Sequence, residues 1–115
     1  MNKVTLIGHV GTVPTTRGSV TSFTLATSYP KKVDGQTQKD ERGFTVMNTE
    51  WHRITCFNGL AKLVAAHVST GKLVALDGRI HYSRYTDQDG TERHACEIIA
   101  DDIEFLSRGP AQSEA

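Results

Sequence analysis

One stretch of the chain has the apolar spacing of a helix, and it falls between segments patterned as strands; that placement constrains the fold more than any other feature. The stretch is NGLAKLVAAHVST, Asn58 to Thr70, where Leu60, Leu63, Val64 and Val68 recur at helical intervals and Gly71 serves as a stop. Ahead of it, KVTLIGHV (Lys3 to Val10) predicts a first strand, closed into a turn by Gly11 and Pro14. A polar turn around Arg17 and Gly18 leads to VTSFTLATS (Val20 to Ser28), a second strand ended by Pro30. The third is TEWHRITCF, residues 49 to 57, rich in β-formers and free of glycine and proline. Behind the helix, KLVALDGRIHYSRYT (Lys72 to Thr86) predicts a fourth strand, and Asp89-Gly90 marks a hairpin into RHACEIIA (Arg93 to Ala100). A final short strand is expected from Ile103 to Leu106, ahead of the polar SRGPAQSEA.

Five strands with a single helix between the third and fourth is the order of an OB-fold, an all-β, partly open Greek-key barrel. The 115 residues suffice for one domain, expected over residues 1–107, with a short polar tail at 108–115. Between the second and third strands lies a polar stretch, Tyr29 to Asn48, longer than compact domains usually tolerate. It reads as a long hairpin tip. Its aromatics Tyr29 and Phe44, with Lys31 and Lys32, fit a loop that closes over a ligand, and a simple flexible excursion fits equally. Apolar residues make up 37% and mean hydropathy is -0.37, so the core is expected to be small and partner subunits to add burial.

No apolar run approaches the roughly 18 residues of a membrane span, and Met1 leads straight into a strand without a signal-peptide core. The expectation is a soluble, cytoplasmic protein. Cys56 and Cys96 sit in apolar, strand-like runs and read as two buried thiols in a reducing compartment. Net charge is zero, unlike many nucleic-acid-binding domains. It is unevenly spread: residues 1 to 33 hold Lys3, Arg17, Lys31 and Lys32 with no acid, while residues 87 to 104 hold seven acids against Arg93. Such asymmetry gives either one basic face or two ordinary solvated ones.

Catalysis and metal binding find little support. His52 and Cys56 share a strand side but lie about 13 Å apart, too far to ligate one ion. His94 and Cys96, about 7 Å apart at their backbones, lack a second pair to complete a tetrahedral set. Neither a G-x-S-x-G elbow nor a phosphate loop ending G-K-[ST] is present. No enzyme, cofactor or metal site is expected.

Strand alternation gives a stronger signal. In TEWHRITCF one side carries Trp51, Arg53, Thr55 and Phe57, and the other Glu50, His52, Ile54 and Cys56. A guanidinium is almost never buried without a partner, so the side with Arg53 and the only tryptophan is the open one. His52 then packs at the core or a subunit interface. In the fourth strand Val74, Leu76, Gly78, Ile80 and Tyr82 look buried, leaving Tyr85 on the polar side with Arg79. Trp51, Phe57 and Tyr85 would then form platforms along a groove lined by Arg53, Arg79 and Arg84. Exposed rings interleaved with cations suit single-stranded nucleic acid, whose bases stack while the cations follow the phosphates. The alternative is that Phe57 and Tyr85 are barrel lids or a protein interface.

The segments NKVTLIGHVG, FTLATS, TEWHRITCFNGLAKLVA and DGRIHYSRYTDQDGTERH together resemble the bacterial single-stranded DNA-binding protein (SSB) family over about residues 2 to 106. The resemblance implies an OB-fold that assembles as a homotetramer, with a dimer as the smaller alternative. It further implies sequence-independent wrapping and protection of single-stranded DNA in replication, recombination and repair, in the nucleoid. It puts Trp51 and Phe57 on stacking positions and Lys3 and Arg53 on basic ones; Arg17, Lys31 and Lys32 join them as candidate phosphate contacts. Three departures from the family pattern stand out. Tyr85 replaces a tryptophan; the loop after Ser28 is longer and lacks its tryptophan, with Tyr29 an approximate substitute; and the long tail with its acidic tip, which recruits partner proteins, is missing. Recruitment of replication or repair proteins is therefore left open, and the sequence is either a truncated form or an accessory member from a plasmid, phage or integrated element. A second reading is a primosome-type accessory or protein-interaction OB module that acts mainly through a partner.

Overall fold

A computed structural model describes residues 1–106; the expected boundary at 107 and the tail 108–115 lie outside the described residues. Eight strands and one helix follow in the order β1 (Val4–Val10), β2 (Thr15–Arg17), β3 (Val20–Pro30), β4 (Lys32–Val33), β5 (Gln36–Thr37), β6 (Met47–Phe57), α1 (Asn58–His67), β7 (Leu73–Thr86) and β8 (Glu92–Phe105). Six of the strands form one sheet in the order β1-β7-β8-β6-β3-β2, and a further pairing of β1 with β3 closes five of them into a barrel. That is the predicted OB architecture.

Two glycines permit the closure. Gly8 lies against the Ala26 carbonyl where β1 meets β3, and Gly78 against the Ile99 carbonyl where β7 meets β8; a side chain at either would overlap backbone. At Gly78 the register slips, with Asp77 facing Asp102 and Gly78 facing Ala100. Asp101 is the extra residue of a bulge that bends β8 without ending it. The separate strand expected at Ile103 is thus the end of one 14-residue strand.

The barrel interior holds Val10, Phe23, Leu25, Ile54, Cys56, Val74, Leu76 and Ile98, with Ala61, Val64 and Val68 of α1 and its C-terminal cap capping one end. The buried Thr21 hydroxyl donates to the Ala61 carbonyl at 3.1 Å, tying β3 to the first turn of the helix. Ala61 takes the inward place expected for Leu63, which is 39% exposed, and the helix stops at His67 because Val68 is already extended.

Two hairpins project from the barrel. β3 and β6 stay paired out to Pro30 and Met47, and the tip beyond them folds on itself through β4 and β5. The polar stretch is the hairpin tip expected, held by the short β4–β5 pairing and a bridge between Lys39 and Thr45. β7 and β8 likewise run past the barrel end, where no further layer among the described residues covers them. Hence Tyr82, expected in the core, is 72% exposed, and Cys96, which faces it across the ladder, is exposed rather than buried.

Candidate functional site

The two sides of β6 separate as alternation requires. Trp51 and Phe57 are 62% and 42% exposed and Arg53 is exposed, while Ile54 and Cys56 are fully buried. Thr55 is the exception, buried at 7%. It is flanked by Ser22 of β3 and Ile99 of β8, where β6 is paired on both edges. His52, half-buried on the inner side, lies 2.8 Å from the Thr27 hydroxyl through Nε2. Burial pushes the Cys56 thiol up from 9.0 to about 11, so it stays protonated and unreactive at neutral pH.

The loop after β1 shapes the open side. Gly11 donates its N–H to the Thr24 carbonyl at 2.8 Å. Thr24 in turn donates through its N–H and its hydroxyl to the Thr12 hydroxyl, at 3.1 and 3.2 Å. Thr24 faces Arg53 across the ladder and Ala26 faces Trp51. The benzo half of the Trp51 indole lies over Gly11. Next to this seat is a groove of about 460 Å³ lined by Thr12, Thr15, Arg17, Val20, Ser22, Phe23, Thr24 and Arg53. Val20 pairs with both Arg17 and Phe57, so the ring of Phe57 stands at its far end. Among the described residues neither Arg17 nor Arg53 makes an ion pair.

A second basic pair lies two strands away. Asn2 exchanges side-chain hydrogen bonds of 2.8 and 2.9 Å with the Ile80 backbone, which carries the β1–β7 register outward and sets Lys3 opposite Arg79. The ladder Thr55–Ile99–Arg79 puts Arg79 on the side of Trp51 and Arg53. Acidic Asp77, Asp102 and Glu104 gather beside them with Thr5, whose hydroxyl donates to Asp77 at 2.7 Å.

Tyr85, 54% exposed, continues the Arg79 side of β7 into the hairpin, where Arg93 faces it across the ladder. The Arg93 Nε–H donates to Asp87 at 2.8 Å, and Asp87 also accepts the N–H groups of Asp89 and Thr91. The Arg93 guanidinium is the largest cause holding the Asp87 carboxyl below its ordinary value, and those two amides add to it. Arg93 was not singled out from the sequence, because its pairing with Tyr85 depends on a hairpin register that composition does not reveal.

Other expected site residues stand apart. Arg84 is on the opposite side of β7 from Tyr85, facing His94 and lying 3.6 Å from Glu92. Tyr29 pairs with Asn48, whose side chain alternates away from that of Trp51. Lys31 and Lys32 are exposed at the base of the projecting tip. At its end Asp40 accepts the N–H groups of Arg42 and Phe44 at 2.9 and 3.0 Å, and the Arg42 guanidinium lies 5.6 Å from the ring centre of the exposed Phe44. Among the described residues no three His, Cys, Asp or Glu side chains gather as metal ligands, and no helix is long and apolar enough to cross a membrane.

A closed five-stranded barrel with one helix and an outward strip of aromatic and basic residues defines an OB-fold binding protein. Residues 1–106 match the model of the single-strand binding protein family, and the chain belongs to that family, whose members are non-enzymatic DNA-binding proteins. It is 35% identical to the single-stranded DNA-binding protein of Xylella fastidiosa over 92% of its own length and 63% of that protein. It is 36% identical to that of Bacteroides thetaiotaomicron over its whole length and 71% of that protein. The chain thus spans about six tenths of the Xylella relative and of the 38% identical Neisseria meningitidis protein. Among solved structures it is similar to a Plasmodium falciparum SSB in complex with single-stranded DNA, with a TM-score of 0.73 and 27% identity, covering 93% of this chain and 96% of that one.

Proposed function

We propose that this chain binds single-stranded DNA without sequence preference, by stacking bases on Trp51 and Phe57 while Arg53 and Arg17 hold the backbone between them. The observation that carries the reading is the shared outward side of Trp51, Arg53 and Phe57, with Arg17 across the adjoining groove. An exposed ring offers a base its π-face, which every base has and which a duplex keeps hidden in its stack; each stacked base contributes about 1 to 3 kcal/mol. Cations without protein partners gain by displacing the counterions condensed on phosphates. Lys3 with Arg79 and Tyr85 with Arg93 extend the path along the barrel wall, and Lys31, Lys32 and Tyr29 serve strands that reach the β3–β6 tip.

Membership of the family supports the same reading, as does the strand-bound state of the Plasmodium neighbour. Residues 1–107 are then the DNA-binding domain, and the protein acts as a homotetramer in the cytoplasmic nucleoid, covering strands exposed in replication, recombination and repair. The test uses the single tryptophan: oligo-dT is titrated at low salt while intrinsic emission is followed, beside a mobility-shift assay. Saturable quenching with a mobility shift is expected; unchanged emission with no shift overturns the proposal. Light scattering with and without oligo-dT checks the tetramer.

A further inference from the structure

We infer that Gly11 is a positioning residue for DNA binding: by lacking a side chain it seats the Trp51 indole in one pose, open for stacking. The inference rests on the DNA-binding reading above. The geometry has three parts. First, a Cβ built at residue 11 would overlap the indole at Cζ3 and come within 3.0 Å of Cε3, and it would crowd the Thr24 hydroxyl at 2.9 Å. Contacts this close are not found for real Cβ atoms, so even alanine must displace the ring or the loop. Second, the loop is the less free of the two, since the Gly11 N–H is bonded to Thr24 and the Gly71 N–H to the neighbouring Val10 carbonyl, both at 2.8 Å. Third, the residue facing Trp51 across the ladder is Ala26, too small to hold the ring from that direction.

The indole is therefore the part that yields. It remains 62% exposed while resting on Gly11, so its pose follows from that contact and not from burial. A ring without this seat rotates among its rotamers, and stacking a base then requires it to be ordered first. Gly11 has no left-handed backbone angle, so its role is space and not conformational freedom.

The experiment compares wild type, Gly11→Ala, Trp51→Ala and the double variant. Fluorescein-labelled oligo-dT is bound by anisotropy, and the free wild type and Gly11→Ala are examined by tryptophan emission and acrylamide quenching. Expected are a shifted emission and raised acrylamide accessibility in free Gly11→Ala, and a loss of affinity of about 5- to 150-fold, the range for one stacked base. In the Trp51→Ala background the Gly11→Ala change is expected to cost no further affinity, because it acts through the ring. Unaltered emission and quenching in Gly11→Ala overturn the inference, as does an affinity loss that persists undiminished without Trp51. Circular dichroism and thermal melting accompany each variant, and an unfolded Gly11→Ala overturns the claim that the ring is what yields. If wild type itself fails to bind oligo-dT, the DNA-binding reading falls and Gly11 positions nothing for DNA, whereas the emission and quenching data still report whether it seats the ring.

Discussion

Trp51 and Phe57 stand six residues apart on one outward side of β6, with Arg53 between them and no core contact required of either ring. At the rise of an extended strand this is about 20 Å, so in the binding mode proposed above the two rings take different bases. Trp51→Ala and Phe57→Ala should each weaken binding of labelled oligo-dT by about 1 to 3 kcal/mol, and the losses should be nearly additive. Neither ring belongs to the buried core, so melting temperatures should change little, less for Trp51 at 62% exposure than for Phe57 at 42%. Phe57 occupies the N-cap of α1 without a side-chain capping bond, which removes one route by which its truncation would destabilise the helix. Leu25→Ala, at 0% exposure in the barrel interior, provides the contrast and should cost about 2 to 5 kcal/mol of stability in denaturant titration.

Arg17 and Arg53 line one groove and lack acidic partners among the described residues, so each is free to neutralise a phosphate. For single strands the logarithm of the binding constant falls with the logarithm of salt by about 0.7 per phosphate contact. Arg17→Ala and Arg53→Ala should each flatten the measured slope by about that amount, and the double variant by about twice as much. Lys62→Ala, exposed on α1 and outside the groove, should leave the slope unchanged.

The two thiols should differ sharply in reactivity. Cys96 is exposed on the projecting hairpin, while Cys56 is buried with its thiol held near 11. A thiol reagent applied to the native protein at pH 8 should modify Cys96 alone, and both cysteines once the protein is denatured. The shift also fixes a sign. Between pH 9 and 11 the unfolded thiol ionises and the folded one does not, so the unfolded state binds fewer protons and stability falls as pH rises. Melting curves over that window should show a decline that Cys56→Ser reduces.

The sequence made the barrel legible because its signals are local. Alternation on β6 and helical spacing on α1 both report which side of an element is buried, and they located Trp51, Arg53 and Phe57 on the open side. Where burial depends on what an element packs against, the pattern misleads. Val74 to Tyr82 alternates as one apolar series, but the barrel ends near Ile80, so Tyr82 stands exposed beyond it. Cys96 fails for the same reason, and Thr55 in the opposite sense, since it gains neighbours on both edges. The seat of Trp51 on Gly11 joins residues forty positions apart. Gly11 carries a turn signal in the sequence, and its contact with the ring exists only once β1 and β3 close the barrel.

Asp87 organises the tip of the β7–β8 hairpin and should decide how firmly Arg93 stands beside Tyr85. Its carboxylate takes one bond from Arg93 Nε and two from the backbone of Asp89 and Thr91. Because the folded pKa is depressed below 3.8, the stabilisation is present above the ordinary carboxylate range and is lost as pH falls through the folded value. Asp87→Asn keeps an oxygen for the two amides but removes the charge that holds Arg93, whereas Asp87→Ala removes both. Amide exchange at Thr91 should therefore be little changed in the first variant and clearly faster in the second. Oligo-dT affinity should fall in both if a fixed Arg93 guanidinium assists stacking at Tyr85, and Arg93→Ala should reproduce that loss without speeding exchange as Asp87→Ala does. Unchanged affinity in all three would place the hairpin tip outside the DNA path and confine binding to the strip from Trp51 to Phe57.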